Sequence, residues 1–143
     1  MNNLDKYVDG SKIAILDDSE TWTEVLKQWL GKRFSLDEID TYIDHKSLLG
    51  DLSIKRYDCI ILDYYLNWGI EAPEVIKDIR SQDQNVLLIT TSASFNKETY
   101  AKNPNMRKAL AAGSNRVAMK DFTSIEIILT THLCVRKNGL CKV

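Results

Sequence analysis

Lys12-Ile13-Ala14-Ile15-Leu16-Asp17-Asp18-Ser19 near the start of the chain and Tyr57-Asp58-Cys59-Ile60-Ile61-Leu62-Asp63 near its middle decide how the rest is read. Each is a short apolar run that stops on aspartate. Such a run, rich in branched side chains and without alternation, reads as a strand buried on both faces, the kind found in parallel sheets covered by helices. If both runs are such strands, Asp17, Asp18 and Asp63 meet at one end of the sheet. Like charges that close repel in a low dielectric, so the cluster persists only with a cation among them or with some carboxyls protonated. A magnesium-type site is therefore the first expectation.

Working outward, Val86-Leu87-Leu88-Ile89, Arg116-Val117-Ala118-Met119 and the more alternating stretch from Leu36 to Ile43 bring the strands to five, separated by helix-length segments. Alternation of strand and helix predicts a parallel sheet covered on both faces, with the alternating strand at an edge. Trp22, Val25, Leu26, Trp29 and Leu30 form one apolar stripe at helical period, with Ser19 as N-cap and Gly31 as stop. Further helices are read from Leu48, Leu49 and Leu52 after the cap Asp44, from Val75, Ile76 and Ile79 after Pro73, and from Met106 to Ala112. A last one runs from near Ser124 toward Leu133. Between Thr91 and Gly113, Asn103-Pro104-Asn105 breaks any single helix, so a long loop or short turn is expected first.

With 143 residues the chain has room for one domain, expected over 11–136 between an N-terminal tail (1–10) and a C-terminal tail (137–143). Hydrophobic content of 44% with 27% charged residues describes an ordinary globular protein. Lys and Arg total 19 against 20 Asp and Glu, so no basic field draws in nucleic acid. No apolar stretch approaches the roughly 20 residues that span a bilayer, and the start lacks a signal-peptide core; neither nucleic-acid binding nor membrane insertion is expected, and the location expected is cytoplasmic. Cys59, Cys134 and Cys141 lack metal-ligand spacing, and Cys59 reads as a small buried hydrophobe. His45 and His132 stand apart from the acids in sequence, and Trp68, five residues past Asp63, is expected in the loop over the site.

A carboxylate that attacks a phosphoryl group needs its own charge and that of the phosphoryl oxygens screened. Asp63, which stands alone, suits the nucleophile; the pair Asp17 and Asp18 suits a cation, with the backbone carbonyl of Tyr65 as a further ligand. Lys120, just after the last strand, would pair with a phosphoryl oxygen or with Asp63. The Thr90 hydroxyl would bond another oxygen and move its loop.

These stretches, with Val86-Leu87-Leu88-Ile89-Thr90 and Ala111-Ala112-Gly113 through Val117-Ala118-Met119-Lys120-Asp121-Phe122, resemble the receiver domain of the two-component response regulator family, in the family's order and over roughly residues 11–136. The resemblance implies an α/β fold of flavodoxin-like, doubly wound (βα)5 type: a five-stranded parallel sheet with helices on both faces. It implies Mg2+-dependent transfer of a phosphoryl group to Asp63 from a sensor histidine kinase or a histidine phosphotransfer protein. The chain would then be a stand-alone regulator, not an enzyme beyond its own phosphorylation and dephosphorylation, that binds a downstream protein target and could form a homodimer.

The departures are specific. Asp121 follows Lys120 where the family usually has proline, so a cis peptide is not expected there. The family's mobile aromatic falls at Val117, so any relay through it is altered or absent. Thr90-Thr91-Ser92 form a run, which makes Thr91 a rival for the switch hydroxyl. Asn67 stands where proline is common, Ala72-Pro73 replaces a glycine, and the segment between Thr90 and Gly113 is longer than usual by about two helical turns. Two other functions compete: a pseudo-receiver that binds partners without phosphorylation, and a haloacid-dehalogenase-type hydrolase. The hydrolase needs a second acid two residues after its nucleophile, where this chain has Ser19 or Tyr65.

Overall fold

In the computed structural model, which describes residues 4–96 and 102–138, β1 (Lys12–Leu16), β2 (Glu38–Tyr42), β3 (Cys59–Asp63), β4 (Leu87–Ser92) and β5 (Arg116–Met119) make one parallel sheet in the order β2-β1-β3-β4-β5. Between them run α2 (Glu20–Arg33), α3 (His45–Asp51), α4 (Ala72–Gln82) and α5 (Pro104–Ala112), with α1 (Asp5–Val8) before the sheet and α6 (Phe122–Asn138) after it. This is the expected doubly wound architecture, with β2 at one edge.

The alternate faces of each strand feed two cores. Ala14, Leu16, Ile60, Leu62, Leu88 and Val117 pack with α3, α4 and α5, while Ile13, Ile15, Cys59, Ile61, Leu87, Ile89 and Ala118 pack with α2 and α6. Burying each such side chain contributes about 1.5–3 kcal/mol, and this two-sided burial is why the central strands show unbroken apolar runs. The edge strand does not alternate cleanly because its polar groups are bonded. Lys55 reaches Glu38 and Asp40 at 2.9 Å each, and the Tyr42 and Tyr57 hydroxyls meet at 2.6 Å. Burial pushes the Tyr42 hydroxyl up to about 12.

Register aligns the carboxyl ends of the strands. Leu16 pairs with Leu62, Asp63 with Thr91, and Ser92 with Met119, so Asp17, Asp63 and Lys120 leave the sheet at one edge. The chain winds outward in opposite directions from β1 and β3, and ligands of open α/β sheets bind at such a reversal of strand order.

The expected helix starts are present, while several other boundaries differ from the sequence reading. Ser19 caps α2, accepting from Trp22 N at 3.2 Å, and Asp44 caps α3. Gly31 does not stop α2, which runs to Arg33; its last turn places the buried Phe34 in the core, and that packing outweighs the glycine's entropy cost. Strand β4 continues through Ser92 because Thr90, Thr91 and Ser92 are themselves paired and buried. The expected breaker Asn103-Pro104 starts α5: the Asn103 Oδ1 accepts from Asn105 N at 2.9 Å and Met106 N at 3.3 Å, and proline suits the first turn. The part of the expected loop at 97–101 lies outside the described residues, as do 1–3 and 139–143 of the expected tails. Within 1–10, Asp5–Val8 form one helical turn whose Val8 is buried, and Arg33 holds Asp5 at 2.7 and 3.0 Å and Glu126 at 2.6 Å.

Arg80 of α4 donates to Gly113 O at 3.0 Å, Val86 O at 2.8 Å and Asn115 Oδ1 at 2.8 Å, tying the turn after α5 to α4. Gly113 is required there: its φ of 124° is left-handed, and a Cβ would stand 3.0 Å from Arg80 Cγ.

Candidate functional site

Asp17 leaves β1 with its N–H bonded to Tyr42 O at 3.0 Å and its Oδ1 accepting from Ser19 N at 2.9 Å, so the start of α2 fixes the carboxylate. Asp17 is 1% exposed and Asp63, the last residue of β3, 9%; Asp18 faces solvent. Carboxylate oxygens of the three lie within 4.8 Å of one another. Lys120 Nζ stands 2.7 Å from Asp17 Oδ2 and 3.8 Å from Asp63 Oδ1. The expected acids and base thus converge.

The electrostatics follow from burial. Asp63 is pushed up to about 7, first by loss of water and then by the Asp17 charge, against the opposing pull of Lys120. Burial also raises Asp17, opposed by Lys120 and the Ser19 N–H. Asp17 Oδ2, although close to the ammonium, has no hydrogen bond of proper alignment and is buried. A buried anionic oxygen partnered only by the Lys120 ammonium, beside two more carboxylates, belongs to a set of hard donors suited to a cation such as Mg2+. Backbone bonds Leu66 N to Ile70 O and Ala72 N to Tyr64 O flank Tyr65, so its own carbonyl is not used in that small bridge and is a fourth candidate oxygen.

The two threonines part company. In parallel pairing, partners share a face, so Thr91 lies on the face of Asp63 and Thr90 on that of Leu62 and Val117. Thr90 is fully buried, its Oγ1 2.8 Å from Ser114 Oγ, while Thr91 Oγ1 donates to Leu62 O at 3.4 Å. Ser114 also bonds Leu88 O at 3.2 Å and Arg116 O at 2.8 Å. Neither Ser114 nor its hold on Thr90 was legible in the sequence, where it is one serine after a glycine. Replacing Ser114 by alanine is expected to cost about 1 kcal/mol in urea unfolding, because it leaves the Thr90 hydroxyl and backbone carbonyls buried without that partner; an unchanged midpoint would mean the bond contributes nothing.

Asp121 is turned away from the metal-type cluster. Its carboxylate accepts from Ser124 N at 2.7 Å and Ser124 Oγ at 3.0 Å, holding the first turn of α6, and the backbone there has no cis peptide. Trp68, expected in the loop over the site, is 75% exposed, with a φ of 59°. The indole at the site is Trp22, whose ring centroid is 5.5 Å from Lys120 Nζ and which stacks on Phe122 at 5.6 Å. Its helical periodicity had marked it only as a core or interface residue.

Of the three acids only Asp18 is exposed. A cleft of about 480 Å3, lined by Asp9, Lys27, Arg33, Leu36 and Ile39 among others, does not include the acids. Among the described residues no helix is long and apolar enough to cross a membrane.

The sequence pattern described as "Response regulator receiver domain" matches residues 13–132. Among solved structures, a two-component response regulator from Clostridium difficile is 19% identical and superposes with a TM-score of 0.72 over 92% of this chain and 99% of its own. The receiver domain of a sensor histidine kinase from Pseudomonas aeruginosa, described with a magnesium ion coordinated in its active site cleft, is 22% identical, with a TM-score of 0.70 over 87% of this chain and 98% of its own. The chemotaxis response regulator CheY4 of Vibrio cholerae is 22% identical, with a TM-score of 0.67 over 87% and 98%. A search of curated protein sequences matched none.

Proposed function

This chain belongs to the response regulator receiver family, a module of two-component signalling, and on that premise we propose that Asp63 is its phosphoacceptor and that the domain, over 11–136, signals by binding a protein target when phosphorylated. The observation that carries the reading is the convergence of Asp17, Asp18 and Asp63 within 4.8 Å, with Lys120 beside them, at the reversal of strand order.

In the step proposed, a carboxylate oxygen of Asp63 attacks the phosphorus of a phosphohistidine on a sensor kinase or phosphotransfer protein. The P–N bond breaks, its electron pair stays on the imidazole nitrogen, and that nitrogen takes up a proton; the product is an acyl phosphate on Asp63. Asp17, Asp18, Asp63 and the Tyr65 carbonyl would hold Mg2+, which when bound screens the charge gathered by carboxylates and phosphoryl oxygens. Asp17 and Lys120 are already oriented, through Ser19 N–H and the ion pair, before any donor arrives. Lys120, at 3.8 Å from Asp63 Oδ1, is within a short side-chain movement of a phosphoryl oxygen there. Thr90 or Thr91 would supply the hydroxyl, Thr91 from the face of Asp63 and Thr90 after release from Ser114. The cytoplasm, where phosphohistidine donors work, is the compartment proposed.

The test is incubation with acetyl phosphate. One label per chain is expected with magnesium and essentially none with EDTA. No label in either case would favour the phosphorylation-independent pseudo-receiver, and rapid multiple turnover a hydrolase.

A further inference from the structure

Lysine is a flexible tether, and at this site its ammonium has two anions to choose between. Asp17 Oδ2 is the nearer at 2.7 Å, Asp63 Oδ1 the farther at 3.8 Å. Full collapse onto Asp17 would withdraw the charge from the side where a phosphoryl group is to be received. The third neighbour of Lys120 is not an anion: Nζ lies over the ring of Trp22, 5.5 Å from its centroid, within the range of cation–π attraction.

That ring is itself held. Trp22 and Trp29 are two turns apart on α2, about 10.5 Å along its axis. Phe122 stacks on both, with centroids 5.6 and 5.0 Å away and planes within 9°, so it sits between them. Phe122 opens α6 two residues after Lys120. Proline would fix the backbone dihedral after the lysine; here Asp121 follows, bonded to Ser124, and the aromatic stack anchors the chain just beyond.

We propose that Trp22 is a positioning residue for Lys120, its ring, immobilised by Phe122, keeping the ammonium within reach of Asp63 as well as Asp17. The inference rests on the phosphoacceptor reading of Asp63. A π face attracts the cation without carrying charge, so it neither binds a divalent ion nor repels an incoming phosphoryl group.

The experiment uses the full chain and three versions of residue 22: wild type, Trp22→Phe, which keeps a ring, and Trp22→Met, which fills much of the volume without one. Proton NMR of the Lys120 ε-methylene reads position directly. The ring current is expected to move this resonance upfield in the wild type and in Trp22→Phe, and Trp22→Met to return it to the ordinary lysine value. Labelling by acetyl phosphate at saturating magnesium is expected to slow about fivefold in Trp22→Met and to stay within about twofold of wild type in Trp22→Phe. A merely structural role would lower thermal stability without this pattern of rescue. An unshifted ε-methylene in the wild type overturns the proposal even if Trp22→Met fails to fold. So does a Trp22→Met protein that is labelled as fast as wild type, which would leave Asp63 as phosphoacceptor untouched. A wild type that takes no label at all sinks the phosphoacceptor reading, and the role of Trp22 with it.

Discussion

Asp63→Asn is expected to leave no phosphoryl label after incubation with acetyl phosphate and magnesium, a fall of at least about a hundredfold against wild type. The amide keeps the shape and the place at the end of β3 but has no anionic oxygen with which to attack phosphorus. Its neighbours cannot take over. Asp17 is buried with Oδ1 bonded to Ser19 N and Oδ2 beside Lys120, and Asp18 lies at the exposed start of the α2 turn. The wild-type label should be released by hydroxylamine, as an acyl phosphate is and a phosphoserine or phosphothreonine is not. Label persisting on Asp63→Asn, or resisting hydroxylamine on the wild type, would assign the chemistry to another residue.

The same substitution should make the metal-free protein more stable at pH 8. Burial and the Asp17 charge raise the Asp63 carboxyl from 3.8 to about 7 in the folded state. A carboxyl raised on folding favours the folded form when protonated: its contribution is fully present below the unfolded value of 3.8, declines as pH rises, and is gone above about 7. Asp5, Asp40 and Asp44, whose carboxyls are lowered, act in the opposite sense, so the informative quantity is the difference between Asp63→Asn and wild type. In EDTA that difference is expected to be about 2 kcal/mol in favour of asparagine at pH 8, discounted from the full shift because the site opens to solvent on one side, and to vanish toward pH 4. Millimolar magnesium should close much of the gap by stabilising only the wild type. Urea titrations at several pH values measure it. A difference independent of pH would mean that the cluster is not strained by its charges.

Much of this was legible because the decisive signals are local. Four-residue apolar runs such as Ile13–Leu16 and Cys59–Leu62 have one comfortable home, a strand covered on both faces, and an acid at the end of each then has one possible meeting place. Ser19 and Asp44 announced helix starts through side chains that serve their own helix. What stayed hidden depends on partners far away in sequence. Nothing near Thr90 indicates that Ser114, 24 residues on, will bond its hydroxyl. Nothing near Trp22 says that a ring of its stripe, while packed against the core, will also meet Phe122 and Lys120. The left-handed backbone of Trp68 was also hidden, because sequence assigns such a turn to glycine. Gly31 misled because tertiary packing of Phe34 overrode an intrinsic preference.

Helix α5 is moored at both ends by side-chain bonds to other elements. At its far end the guanidinium of Arg80 grips the Gly113–Asn115 turn through Gly113 O and Asn115 Oδ1. At its near end a side-chain bond, from Asn105 Nδ2 to Tyr65 Oη at 2.6 Å, links it to the loop two residues past Asp63. A rod clamped at one tip and tugged at the other swings about the clamp. Any displacement of the Tyr65 loop would therefore be felt first at the opening turn of α5, while Arg80 restrains the turn beyond its last residue.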